Sequence, residues 1–268
     1  KRGPVFFAKI SAQDLSHLFV KTNPDLGNRA ITCMTTDSKN HMWIGTYGGG
    51  LKRYDGLNVE TYSHDPFSES SISNSTIFDL VFSENQGLWI ATQNGINHFN
   101  PNTKSFSLFN PTSDFISVHS LCEIDENVLV VGTHQKGIYF FNTKTKVFDK
   151  VGIPETINEN GLLINDIVVD QLSRIWVGTN YGIFIIDKNV KMLTRASFKG
   201  SKNINPNNTE ALSFEIDHSG NIWIGTVDDG LFKILPSGVN NFDVEHYQIS
   251  NKRIFSIKEY ENKYMLLG

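Results

Sequence analysis

The chain repeats itself. "HMWIGTYGGGLKRYD" (41–55) returns as "GLWIATQNGINHFN" from Gly87, "VLVVGTHQKGIYFFN" from Val128, "RIWVGTNYGIFIID" from Arg174 and "NIWIGTVDDGLFKIL" from Asn221. Aligned on Gly45, Ala91, Gly132, Gly178 and Gly225, the copies lie 46, 41, 46 and 47 residues apart. "KYMLLG" begins a sixth copy and puts Gly268 43 residues after Gly225. A period of about 45 residues means that each repeat is one supersecondary unit, which buries its apolar face only against its neighbours.

Each repeat reads as four short strands. In the second, "TIFDLVFS" (76–83) is an apolar run too short for a helix, and "LWIAT" is a second run. "QNG" makes a tight turn at Gly95, "INHFN" alternates with period two, and "SFSLFN" (105–110) is the fourth run. Four strands in such a length predict one blade of a β-propeller. The expected fold class is therefore all-β, a propeller of four-stranded antiparallel blades. A single domain over 1–268 is expected, with blade cores near 31–62, 77–109, 118–151, 164–198, 211–247 and 254–268: five complete blades and part of a sixth.

The internal register is firm. Ile31, Ile77, Val118, Ile164, Ala211 and Ile254 each precede Trp43, Trp89, Val130, Trp176, Trp223 and Leu266 by 12 residues. That spacing predicts a fixed hairpin of the first two strands. "LWIAT" and "IWVGT" are continuously apolar, as strands buried on both faces should be. The glycine two residues after the Trp shares its face and is expected to make room for a neighbouring group, the next blade's indole. Thr46, Thr92, Thr133 and Thr179 are expected to hydrogen-bond the adjacent turn. Gly48, Gly49 and Gly50 align with the other turns and precede a strand, "LKRYD", where a phosphate loop would precede a helix. "VFFAKIS" (5–11) reads as a fourth strand and is expected as the outer strand of the final blade.

Charge and motifs exclude several functions. A net charge of −4 with no basic cluster gives no electrostatic footprint for nucleic acid. The longest apolar runs, such as "IFII" (183–186), are far short of a membrane span, and no signal peptide opens the chain. Cys33 and Cys122 occupy the same segment of different repeats, which places them too far apart to bridge. They read as small buried hydrophobes. There is no G-x-S-x-G elbow, no H-E-x-x-H, no cysteine pair at zinc spacing and no calcium loop. Neither catalytic residues, nor a metal, nor a cofactor are expected.

A ligand would meet one end of the blades. There the turn between the second and third strands lies beside the start of the first. The turns bring Tyr47, Asn94, His134, Tyr181 and Asp228; the strand starts bring Arg29, Ser75, His119, Asn165 and Glu210. Such groups stack on sugars and bond hydroxyls, so they are the candidate ligand-binding residues.

The unit I-x(11)-W-[IV]-G-T-x(3,4)-G-[LI] resembles the two-component regulator propeller repeat. "DSKNHMWIGTYGGGLKRYDG" (37–56) and "DHSGNIWIGTVDDGLFKI" (217–234) are similar to its consensus, and "FAKISAQDLSHL" (7–18) resembles the usual opening of such a sensor. The resemblance implies the periplasmic ectodomain of an inner-membrane hybrid sensor histidine kinase of the Bacteroides type, seven-bladed in the parent protein, of which this chain is an incomplete N-terminal piece. It implies sensing of an oligosaccharide and transcriptional control of polysaccharide-utilisation genes. The implied partners are that ligand, a second propeller with the rest of the sensor, and a second copy in a homodimer. Two other readings stand beside it. One is a protein-interaction scaffold. The other is a propeller polysaccharide lyase or glycosidase, which would need paired carboxylates.

Overall fold

The computed structural model describes residues 6–9, 30–199, 205–235, 242–249 and 253–268. The chain divides into two compact units, Ser16–Lys150 and the combination of Lys1–Leu15 with Val151–Gly268. Strand β1 (Phe6–Lys9) comes first in the chain. The unit Ser16–Lys150 contains three sheets. They are β2 (Ile31–Thr36), β3 (Met42–Thr46), β4 (Leu51–Tyr54) and β5 (Val59–Tyr62); β6 (Ile77–Ser83), β7 (Gly87–Thr92), β8 (Gly95–Asn100) and β9 (Ser105–Phe109); and β10 (Val118–Asp125), β11 (Val128–Thr133), β12 (Ile138–Asn142) and β13 (Val147–Lys150).

The other unit contains β14 (Ile164–Val169), β15 (Ile175–Thr179), β16 (Gly182–Asp187) and β17 (Met192–Arg195), then β18 (Ala211–Ile216), β19 (Ile222–Thr226), β20 (Leu231–Leu235) and β21 (Asp243–Tyr247). Its third sheet has the order β1-β23-β22, with β22 (Ile257–Tyr260) and β23 (Tyr264–Leu267). In the five four-stranded sheets every neighbour is sequential and antiparallel. These are propeller blades.

The 12-residue spacing is a pairing. Ile31 faces Thr46, Ile77 faces Thr92, Val118 faces Thr133, Ile164 faces Thr179 and Ala211 faces Thr226. One residue later each ladder slips by one, so that Cys33, Asp79, Ser120, Asp166 and Ser213 face Gly45, Ala91, Gly132, Gly178 and Gly225. A bulge recurring at the same place bends every first strand in the same way. The threonines close the following turn as expected. The Thr46, Thr92, Thr133, Thr179 and Thr226 hydroxyls donate to the carbonyls of Gly50, Gly95, Gly137, Gly182 and Gly230 at 2.6–3.0 Å.

Blades pack in one direction. Trp43 packs with Ile77, Leu80, Ile90 and Phe99 of the second blade, and Trp89 with Leu121, Leu129, Val131 and Phe141 of the third. Trp176 packs on the fifth blade through Phe214, Ile224 and Phe232, and Trp223 on the sixth through Ile257, Met265 and Leu267. All four indoles are buried. The glycine two residues after Trp43, Trp176 and Trp223 does make room, but for the next blade's first strand rather than for its indole; after Trp89 the position is Ala91. A Cβ on Gly45 would stand 2.8 Å from Ile77 Cγ2, and one on Gly225 would stand 2.7 Å from Ile254 Cγ2. On Gly178 it would stand 2.7 Å from Phe214 Cε2. Two carboxylates add polar ties to this packing. Asp79 Oδ2 accepts from Leu121 N at 2.8 Å, and Asp166 Oδ2 from Phe214 N at 2.7 Å, each a bond from one blade to the next.

An aspartate six residues before the Trp builds the first turn in three blades. Asp37, Asp170 and Asp217 accept the indole N–H of Trp43, Trp176 and Trp223 on Oδ2 at 3.0, 2.8 and 2.9 Å. Their Oδ1 atoms accept two turn N–H groups each, from Lys39 and His41, Leu172 and Arg174, and Ser219 and Asn221. Three residues after each aspartate the backbone is left-handed, at Asn40, Ser173 and Gly220. Asn and Gly take that conformation at low cost.

The expectation for the opening strand needs correction. β1 is the outer strand of the last sheet, but not as a fourth strand with partners of its own: it pairs parallel with β23, Phe6 against Tyr264 through Lys9 against Leu267. It takes the place where the other five sheets carry their third strand. The cause is the edge of β23, whose row of N–H and C=O groups requires a partner.

Candidate functional site

One backbone bond recurs in five blades and fixes the same end of each blade. Tyr47 N donates to Ala30 O, Gln93 N to Thr76 O, His134 N to Ser117 O, Asn180 N to Leu163 O and Val227 N to Glu210 O, at 2.9–3.3 Å. Each ties the turn after the second strand to the start of the first. The sequence expectation that these two segments share a blade end is therefore met.

The structure brings some of the expected residues together. His119 and His134 stack with ring centroids 3.2 Å apart, and Phe78 stacks on the other face of His119 at 3.8 Å. The Ser117 hydroxyl lies 2.9 Å from His119 Nε2. Burial and then the neighbouring His134 push His119 down to about 3, so its ring is neutral at physiological pH. In the other unit, Asn165 Nδ2 donates to Glu210 Oε1 at 3.0 Å and to Ala211 O at 2.9 Å, tying the fourth blade to the fifth.

The remaining residues stand separately. Tyr47 is 60% exposed, and Asp228 is exposed at its turn tip. Asn94 is half-buried, and its carbonyl accepts from Ser73 Oγ at 2.7 Å. Tyr181 is half-buried, with its N–H on Thr179 Oγ1. Ser75 turns inward: its hydroxyl accepts from His64 N at 3.0 Å and its carbonyl from Gly50 N at 2.8 Å. Arg29 lies outside the described residues.

Among the described residues, no group of three or more His, Cys, Asp or Glu side chains is placed to hold a metal ion. Cys33 and Cys122 are both free thiols, and burial pushes Cys33 up, out of the reactive range. The face offers stacked rings, amides and carboxylates at blade ends, which suits hydrogen bonding and stacking with a polar ligand.

Two cavities lie at the other end of the strands, where sequence reasoning did not look. One of about 210 Å³ is lined by Arg53, Asp55, Asn58, Val59, Glu60 and Lys104. The second, of about 280 Å³, includes Gln86, Trp89, His98 and Lys146 in its wall. The sequence did contain a pointer to the second: in the second repeat Ser83 stands six residues before the Trp, where three other repeats carry aspartate.

The comparisons with known proteins bear on the repeat first. Residues 25–48 match the model of the two-component regulator propeller family. The first repeat of the chain is thus similar to a two-component regulator propeller repeat. It is also 29% identical, over 169 residues, to histidine kinase P4 of Formosa agariphila, a match covering 57% of this chain and 12% of that protein.

Among solved structures, the extracellular domain of a hybrid two-component system of B. thetaiotaomicron superposes with a TM-score of 0.64 at 18% identity. That match covers 90% of this chain and 37% of the other. A catalytically inactive virginiamycin B lyase from Staphylococcus aureus superposes with a TM-score of 0.66 at 13% identity, over 86% of this chain and 74% of the lyase. A domain of a two-component system and a lyase thus share this fold, and function has to be argued from the site. Among the described residues, no helix is long and apolar enough to cross a membrane.

Proposed function

We propose that this chain is a ligand-sensing propeller in the periplasmic part of a two-component signalling protein. It would recognise an oligosaccharide without transforming it, and its occupancy would regulate polysaccharide-utilisation genes. The rest of the sensor, a second propeller and a second copy of the chain would relay that occupancy. The observation that supports this reading is the bond that recurs in five blades and, blade by blade, keeps the turn after the second strand beside the start of the first, the two segments that carry Tyr47, Asn94, His134, Asp228, His119, Asn165 and Glu210. Tyr181 follows Asn180, the donor in the fourth blade. The propeller-repeat match and the kinase relative support the signalling part. Rings and amides presented from several short turns suit a ligand with many hydroxyls and apolar C–H faces.

Calorimetric titration of the ectodomain with a glycan panel tests it. Saturable binding of an oligosaccharide is expected, weakened about tenfold by Tyr181→Ala or His134→Ala, the loss of one well-formed polar or stacking contact. Chromatography of the same mixtures should return the glycan intact. Turnover would replace the sensor by an enzyme. Tight binding indifferent to both substitutions would move the site off this blade end.

A further inference from the structure

Three of the four indoles share one arrangement. Under Trp43, Trp176 and Trp223 an aspartate accepts the N–H, and over each ring lies a cation: Arg53 at 5.8 Å, Arg174 at 5.6 Å and Lys233 at 4.9 Å from the ring centroid. In two of them the cation also reaches that aspartate, Arg174 Nε to Asp170 Oδ2 at 2.6 Å and Lys233 Nζ to Asp217 Oδ2 at 3.9 Å. Indole N–H, carboxylate and cation form a closed set.

Around Trp89 the second blade supplies no cation: His98 faces the indole across the ladder where the first and fifth blades carry Arg53 and Lys233, and the third blade supplies a lysine instead. Lys146 lies 5.4 Å from the Trp89 centroid and 4.7 Å from that of Phe109. The carboxylate is missing, because the equivalent residue is Ser83, whose hydroxyl donates to Glu123 Oε1 at 2.7 Å. Trp89 is 1% exposed, and among the described residues its Nε1 has no hydrogen-bond partner. Thr143, 4% exposed, has an equally unpartnered Oγ1. A buried donor in that condition is destabilising, because it has given up water without gaining a partner.

Both residues line the cavity of about 280 Å³, together with Gln86, His98, Asn127, Lys144 and Lys146. Among the described residues neither Lys144 nor Lys146 forms an ion pair. Burial and the neighbouring Lys146 hold His98 below its ordinary value, against the bond its Nε2–H donates to Gln86 O at 2.5 Å.

We infer that this cavity binds a carboxylate-bearing ligand, with the carboxylate between Trp89 Nε1 and Lys146 in the place the aspartate fills in the sibling blades. The rest of the lining is two amides, a hydroxyl, the His98 ring and a second ammonium, Lys144, and the volume suits about one sugar ring, several times the ~30 Å³ share of a water molecule. The ligand class is therefore a hydroxylated acid such as a uronate. The site lies at the opposite end of the strands from the face proposed for the oligosaccharide and does not depend on that reading.

The test is the indole 1H–15N resonance of Trp89 in the chain, assigned by its loss in Trp89→Phe. Sodium glucuronate should shift it saturably. Glucose at the same concentration should not, and the Trp43 resonance, already engaged by Asp37, should stay in place. Lys146→Gln should weaken the glucuronate effect about tenfold, the loss of one charge-assisted contact. An unmoved Trp89 resonance, an equal response to glucose, or unchanged affinity in Lys146→Gln would each overturn the inference.

Discussion

The second and fourth blades bury the same indole to the same depth and stabilise it differently. Trp176 sits on Asp170, and that carboxylate also holds two turn N–H groups and Arg174. Trp89 has apolar neighbours and a cation over its ring but no acceptor. The apolar half of the blade contact therefore stands without the polar half. Packing of the indole on the next blade holds the blades together, and the aspartate shapes the turn.

The largest effects should come from the indoles themselves. Trp176→Ala should cost about 5 kcal/mol and Trp89→Ala about 3, because only the first also removes a hydrogen bond to a buried carboxylate. Chemical denaturation of each variant measures the gap, and equal losses would break the comparison. Removing the acceptor comes next. Asp170→Ala should cost about 3 kcal/mol, while Ser83→Ala, at the equivalent site, should cost about 1. Comparable losses would mean that the aspartate contributes nothing beyond an ordinary polar contact.

The glycine beside the indole sharpens the contrast further. Gly178→Ala drives a methyl into Phe214 and Ala211 and should cost roughly 1–3 kcal/mol. Ala91→Gly, the reverse exchange in the second blade, should cost only about 0.5–1 kcal/mol through chain entropy. Thermal melts of the two variants would rank them.

The smallest expected effect concerns pH. Burial pushes the Asp79 carboxyl up to about 6, above its unfolded value near 4. A raised carboxyl favours the folded state at low pH, and that contribution is lost as pH rises from about 4 through 6. Asp79 keeps partial exposure, so solvent screening limits the change to on the order of 1 kcal/mol. Asp217 behaves oppositely. Burial pushes it up, but bonds from Asn221 and Trp223 outweigh this and hold it below its ordinary value. Its contribution is present above pH 4 and lost on further acidification. Asp79→Asn should flatten the stability profile between pH 4 and 6, and an unchanged slope there would exclude Asp79 as its source.

Much of the blade was legible because it is local. Twelve residues between Ile31 and Trp43, or between Ile164 and Trp176, leave a single hairpin register once one bulge is allowed. The threonine bond was equally readable, since it closes a turn only a few residues long. The partner of each glycine was misassigned because it comes from a repeat some 30 residues later, where geometry rather than spacing selects Ile77 or Ile254. The parallel partner of β1 was illegible for the same reason: Phe6 and Tyr264 are joined by no local pattern. The aspartate six residues before Trp43, Trp176 and Trp223 was visible as a motif, and its meaning needed the indole N–H in view. On the candidate face, position was readable from the turns. The pairing of His119 with His134 and of Asn165 with Glu210 depends on side-chain direction and was not.

The two carboxylate ties between blades have a direction. Asp79 supplies the acceptor and Leu121 the donor, and Asp166 and Phe214 stand in the same order. If the second blade frays, the third is left with a bare amide in its first strand. If the third frays, the second loses a donor, and its carboxylate can take a proton or a water instead. Disorder in this array should therefore spread more readily from an earlier blade into a later one than back again, which gives a chain of near-identical units an inherent polarity of unfolding.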